Sequence, residues 1–126
     1  MNEKVNAYFK GMVHDGKWTV DYTTGQRKAY FTWRYSFGHS PDFSSSELEC
    51  NDLPWDNEMA DFVRTLRESG AETLAVTDHS SGLMSGIHVL ISLGCTMEGI
   101  CMVTRTDNRF GGTETEEVEG IRFRLH

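Results

Sequence analysis

The chain is poor in the residues that mark special classes of protein. It holds two prolines and three cysteines among 126 residues. So little proline, with no low-complexity run, argues against long disordered segments. No apolar run reaches the roughly 18–20 residues that a membrane span needs, and the opening MNEKVNAYFK lacks the apolar centre of a signal peptide. We therefore expect a cytoplasmic protein that makes no membrane contact. Cys50, Cys95 and Cys101 are odd in number and form no CxxC, which fits reduced thiols. Cys95 and Cys101 sit in apolar sequence and read as small hydrophobes. His14, His39, His79, His88 and His126 show no HxxxH or HxH spacing, so no metal site is expected. There is no GxGxxG after a strand and no GxSxG elbow, which leaves neither a dinucleotide fold nor a hydrolase nucleophile to argue for. No cofactor is expected.

What is present is enough for one domain over residues 1–126 with a core that needs no staples. The net charge of -7 is unevenly spread. Residues 1–41 hold six Lys or Arg against three acids, whereas residues 42–61 hold seven acids and no Lys or Arg. That segregation bears on partners more than on fold.

The stretch from Glu72 to Thr104 is the most continuously hydrophobic and is expected at the centre of the core. Residues 4–37 read as a three-stranded meander. Asp15-Gly16 is a hairpin signal, Thr23-Thr24-Gly25-Gln26 forms the second turn, and Ala29, Phe31, Trp33, Tyr35 and Phe37 alternate along the third strand. Gly38 to Pro54 reads as a long, mobile loop. Trp55, Met59, Phe62, Val63 and Leu66 form one helical stripe, with Asp52 as the candidate N-cap and Gly70 as the stop. A short interior strand follows at Thr73–Thr77. The next helix, about Ser81 to Leu93, has Leu83, Met84, Ile87, Leu90 and Ile91 as its stripe and is expected to be covered on two sides. Gly86 within it suggests close approach to another backbone. This strand, helix and following strand suggest a crossover with parallel strands. Residues 100–125 read as a long hairpin turning at Gly111-Gly112, with Arg109 opposite Glu114 and Asp107 opposite Glu116. The expected fold is α+β, order βββ-α-β-α-ββ, with a mostly antiparallel sheet and two helices on one side.

Two segments carry a resemblance. Asp78-His79-Ser80-Ser81-Gly82-Leu83-Met84, followed by Leu93-Gly94-Cys95-Thr96-Met97-Glu98-Gly99, resembles small accessory proteins of conjugative and other mobile elements of Gram-positive gut bacteria. In that family a polar-Ser-x-x-Leu-Met segment precedes a helix and Leu-Gly-Cys-x-x-Glu-Gly follows it. The resemblance spans roughly residues 60–125 and implies a bacterial mobile-element setting. It implies no activity and no functional residue.

Three functional readings follow. The first is a non-enzymatic protein-binding or regulatory protein whose acidic residues Asp42, Glu47, Glu49, Asp52 and Asp56 meet a protein partner. On a mobile element that partner suggests a nucleic-acid enzyme of host defence, its basic groove occupied by an acidic surface. The second uses Asp78, His79, Ser80 and Ser81 at a helix N-terminus as a small-anion, nucleotide or enzymatic site. Adjacent Asp, His and Ser rarely build a catalytic triad, which needs a spatial hydrogen-bond chain, so helix caps are the commoner outcome. The third is nucleic-acid binding by Tyr8, Lys10, Lys28, Tyr30 and Arg34, basic and aromatic residues interleaved on one sheet face. No RNP-like motif supports it, and an ordinary solvated face is the simpler reading.

Overall fold

A computed structural model describes residues 2–111 and 114–126. The order of elements is α1 (Glu3–Lys10), β1 (Val13–His14), β2 (Lys17–Trp18), α2 (Thr24–Arg34), β3 (Phe43–Ser45), β4 (Glu49–Cys50), α3 (Asp56–Ser69), β5 (Thr73–Val76), α4 (Leu83–Ser92), β6 (Thr96–Asp107) and β7 (Glu114–Arg124). The class is α+β with a mostly antiparallel main sheet, ordered β3-β6-β7-β5-β4; only the β4–β5 pair is parallel.

The expected meander is corrected to two helices around a small hairpin. Val5 and Phe9 are buried one turn apart on α1, and Gly25, Ala29 and Trp33 form the buried stripe of α2 at steps of four. Phe31 and Tyr35, assigned to the same strand face as Trp33, are 45% and 49% exposed. The Thr23–Gln26 segment, read as a turn, is a capping box: Gln26 N donates to Thr23 Oγ1 and Thr23 N to Gln26 Oε1. The Asp15-Gly16 turn does form. Both residues have positive φ, and Val13 faces Trp18 while His14 faces Lys17.

Further along, α3 buries Met59, Phe62, Val63 and Leu66 as the stripe predicts, and Gly70 ends it in the left-handed conformation. Its cap is corrected. Trp55 holds the N-cap position instead of Asp52, and its N–H donates to Glu58 Oε1 at 3.1 Å. The Trp55 side chain, expected in the stripe, projects outward. Arg67 ties the layers together by donating to the Leu125 carbonyl and, at 2.9 Å, to the Leu93 carbonyl that ends α4.

The centre of the core is corrected too. On α4 only Gly86 and Leu90 are buried, so one face is covered rather than two. Gly86 meets the Leu53 side chain, not a backbone. Strands β5 and β6 are both antiparallel to β7, hence parallel to each other, but β7 lies between them. In the hairpin Asp107 pairs with Glu114 and Arg105 with Glu116, a shift of two residues from the expected register. A 3-10 turn at Arg109–Gly111, with Phe110 at φ 64°, takes up those residues; Gly112, the second glycine of the expected turn, lies outside the described residues.

The segment expected to be a loop supplies both edges of the sheet. From Ser45 in β3 to Glu49 in β4 is four peptide links, at most about 14 Å of chain. Four strand spacings of a flat sheet need about 19 Å. The sheet therefore curls until its edges approach, and Ser46 crosses toward Thr104, bonding it in both directions (Ser46 N to Thr104 O, 2.9 Å; Thr104 N to Ser46 Oγ, 3.1 Å). Ala75, Cys101 and Val103 form a small apolar cluster apart from the main core.

Helices α2 and α3 cross at Gly25, where an added Cβ would collide with the Glu58 carbonyl and lie 2.8 Å from Asp61 Cβ. Gly25→Ala is expected to lower stability by about 1–3 kcal/mol in urea denaturation. Gly82→Ala, at a negative φ and with only Ser80 Oγ in ordinary contact at 3.8 Å, serves as the control and should change little.

Candidate functional site

The concave side of the curled sheet is organised by Glu49, a buried carboxylate. Ser45 Oγ donates to its Oε1 at 2.6 Å. Arg105 Nε donates to Oε2 at 2.7 Å, and Arg105 Nη2 and Thr77 Oγ1 converge on the same oxygen. Burial pushes the Glu49 carboxyl up, but the bonds from Arg105, Ser45 and Thr77 outweigh it and hold it below the usual carboxylate range. Glu47 makes a second closure, accepting from Arg122 Nε at 2.9 Å and Nη2 at 2.6 Å. Next to Glu49 opens a cleft of about 620 Å³ whose walls include Tyr35, Phe43, Asn51 and Arg109. Arg109 lies 4.4 Å over the Phe43 ring and bonds Asp107 at 2.9 Å, so the two arginines of this cleft are already matched by carboxylates.

The acidic stretch is thus split. Glu47 and Glu49 turn inward to arginines, while Asp42, Asp52 and Asp56 remain exposed. Asp56 accepts from Ser85 Oγ at 3.0 and 3.2 Å, which joins the start of α3 to the first turn of α4. Beside that junction Trp55 is 76% and Met84 68% exposed. Ile91, also exposed, follows Met84 by two helical turns on the same stripe. The sequence reading had placed all three in the core. The position of Trp55 directly after Pro54, before the first helical turn, was the signal that it need not share the stripe.

At the Asp78–Ser81 break, Asp78 is buried and accepts from Leu53 N at 2.9 Å and Ser80 N at 2.7 Å. Burial raises its carboxyl, yet the bonds from Ser80 and Leu53 win and lower it. Those amides are taken by the chain's own carboxylate. His79 Nε2 lies 3.2 Å from the Glu119 carbonyl, and Ser80 and Ser81 are exposed before Gly82, the N-cap of α4.

The five basic and aromatic residues separate into two groups, on helices rather than a sheet. Tyr8 donates to Glu68 at 3.2 Å and Lys28 lies 3.7 Å from Glu58, both against α3. Lys10, Tyr30 and Arg34 line an open concavity of about 350 Å³ with His39 and Asp15. His39, which the sequence left without a role, stacks on Trp33 with ring centroids 4.4 Å apart.

The thiols are all free, and burial pushes Cys50 up to about 12 and raises Cys95 and Cys101. Among the described residues no three His, Cys, Asp or Glu side chains cluster to hold a metal, and no helix is long and apolar enough to cross a membrane. A family model described as a domain of unknown function, DUF7698, matches residues 28–125, from within α2 to the end of the chain's last strand. No curated protein and no solved structure matches the chain.

Glu49→Gln would leave Arg105 with a neutral amide and the exposed Glu116 carboxylate 3.7 Å away, and is expected to cost about 1–3 kcal/mol near neutral pH because Arg105 is partly open and keeps that second partner. The folded carboxyl titrates below its unfolded value, so its contribution is complete above the unfolded range and is lost as pH falls through the folded one. Wild-type stability should therefore drop below about pH 4.3, and the variant should show a shallower acid limb. Equal acid limbs in urea titrations of the two proteins would contradict the assignment.

Proposed function

Because the chain belongs to the DUF7698 family, whose function is unknown, its role has to be read from its own surface, and we propose a non-enzymatic protein-binding module. The observation that carries this reading is α4. The helix has no Asp, Glu, Lys or Arg, yet only Gly86 and Leu90 are buried, Met84 is exposed at the end joined to Asp56 next to exposed Trp55, and Ile91 is exposed two turns further along. A helix apolar on most sides is normally covered, and an exposed tryptophan beside methionine is the composition of an interface centre. Asp52 and Asp56 rim the patch, and residues 42–61 supply no basic charge. The surface fits a protein with an apolar pocket set in a basic rim. A nucleic-acid enzyme has such a rim, and carriage on a mobile element of Gram-positive gut bacteria, with action in the cytoplasm, is the setting we infer from the resemblance in residues 78–99. Glu47 and Glu49, bound to arginines, take no part in this surface.

The test compares tagged wild type with Trp55→Ala and Asp52→Asn/Asp56→Asn in nuclease-treated lysate eluted by rising salt. One protein should be held by wild type and released by salt, with affinity about tenfold weaker for Trp55→Ala at unchanged melting temperature. The double carboxylate variant should mainly flatten the salt dependence. Retention of every captured protein by both variants would sink the proposal.

A further inference from the structure

On the opposite chemical footing stands the concavity between α1, the β1–β2 turn and the end of α2. The geometry points to a binding site for a phosphoryl anion, held by Lys10 and Arg34 with His39 and Tyr30 beside them. In a chain of net charge -7, half of the twelve Lys and Arg side chains face acids: Arg27, Lys28, Arg64, Arg105, Arg109 and Arg122 each have a carboxylate within 4.0 Å. Lys10 and Arg34 have none among the described residues, although they line one concavity of about 350 Å³. Asp15 is the one carboxylate in that lining, and its ion-pair contact is with His14, at 3.4 Å.

A second observation is independent of those charges. His39 Nε2 is shut off from solvent and has no hydrogen-bond partner among the described residues. A buried imidazole nitrogen normally finds a partner, because leaving one unmade costs about 1–3 kcal/mol. Burial, then the charges of Lys10 and Arg34, lower the tendency of His39 to take a proton. An oxyanion acts on the charge repulsion, not on the burial. It offers acceptors to the lysine and the guanidinium and offsets their repulsion of a protonated ring, and a rotation of the His39 ring is what would turn Nε2 to it. Tetrahedral phosphate oxygens suit one ammonium and one forked guanidinium on the walls of the same concavity. The aromatic rings here do not form a base-stacking platform. Trp33 is buried and its face is taken by His39, so the phosphate rather than a base is what the site recognises.

Amide NMR titrations with inorganic phosphate, AMP and a short single-stranded oligonucleotide test the site. Saturable shifts confined to residues around Lys10, Val13, Arg34 and His39 are expected with at least one probe, and the His39 ring should titrate at higher pH when that probe is bound. Lys10→Gln and Arg34→Gln should each weaken binding about tenfold. Asp15→Asn keeps both cations and the turn, so it should tighten binding about threefold even if the other variants are unstable. Phosphate and AMP binding without the oligonucleotide would mark free phosphate esters as the source; tighter binding of the oligonucleotide would mark a nucleic-acid backbone. Absence of saturable shifts with all three probes, or affinities indifferent to all three substitutions, overturns the proposal.

Discussion

The structure depends on one buried carboxylate holding together strands that a flat sheet would keep apart. Between β3 and β4 there are only three residues, 46–48, yet these strands are the two edges of a five-stranded sheet. Chain connectivity forces the curl, and the concave side it makes holds little of the apolar core. Ala75, Cys101 and Val103 fill part of it. The rest is polar, and Glu49 satisfies it by accepting from β3 (Ser45), β6 (Arg105) and the end of β5 (Thr77). A buried ion pair is weak evidence for net stability compared with an apolar replacement. Here its value is geometric. Four donors on one carboxylate fix which strands meet, and no aliphatic side chain could specify that.

The same economy explains the acidic stretch. Seven acids in twenty residues look like a surface in one dimension. In three dimensions strand alternation and the crossing segment turn Glu47 and Glu49 to Arg122 and Arg105, and only part of the charge stays outside. The central strands of 12 and 11 residues outrun the edges of three and two: β3 pairs only with residues 105–107 of β6, which leaves residues 96–103 of β6 without a strand on that side among the described residues.

How much of this was legible depended on whether the signal was local. Helix α3 and the Asp15-Gly16 turn followed from spacing and backbone preference alone. The N-terminal third did not, because its aromatics are dense enough to satisfy two periods at once. Ala29 and Trp33 lie four apart and also two steps of two apart, and the choice between helix and strand rested on Phe31 and Tyr35, which are exposed. The Thr23–Gln26 capping box was the deciding mark. The curl, in contrast, has no local signature. A three-residue link is unremarkable until the strands on either side are known to be opposite edges. The candidate sites follow the same rule: the carboxylates at 42–56 were visible as a run, but Arg105 and Arg122 lie 56 and 75 residues from the acids they bind.

The clasp also sets the place of the cationic concavity. Glu49 N donates to Ser36 Oγ at 3.1 Å, Ser36 Oγ donates to the Thr32 carbonyl at 2.8 Å, and the Ser36 carbonyl accepts from His39 N at 3.2 Å. Ser36 is fully buried, so these bonds are not exchanged with water. One serine thus links the strand that closes the sheet to the end of α2, two residues from Arg34 and three from His39. The positions of the guanidinium and the imidazole are therefore consequences of sheet closure, not of the helix alone. The apolar patch of α4 is braced differently, through Asp56 and Ser85 and through Leu53 against Gly86. Two surfaces of opposite character are held by separate contacts on one frame, so a ligand on one would not require the other to move.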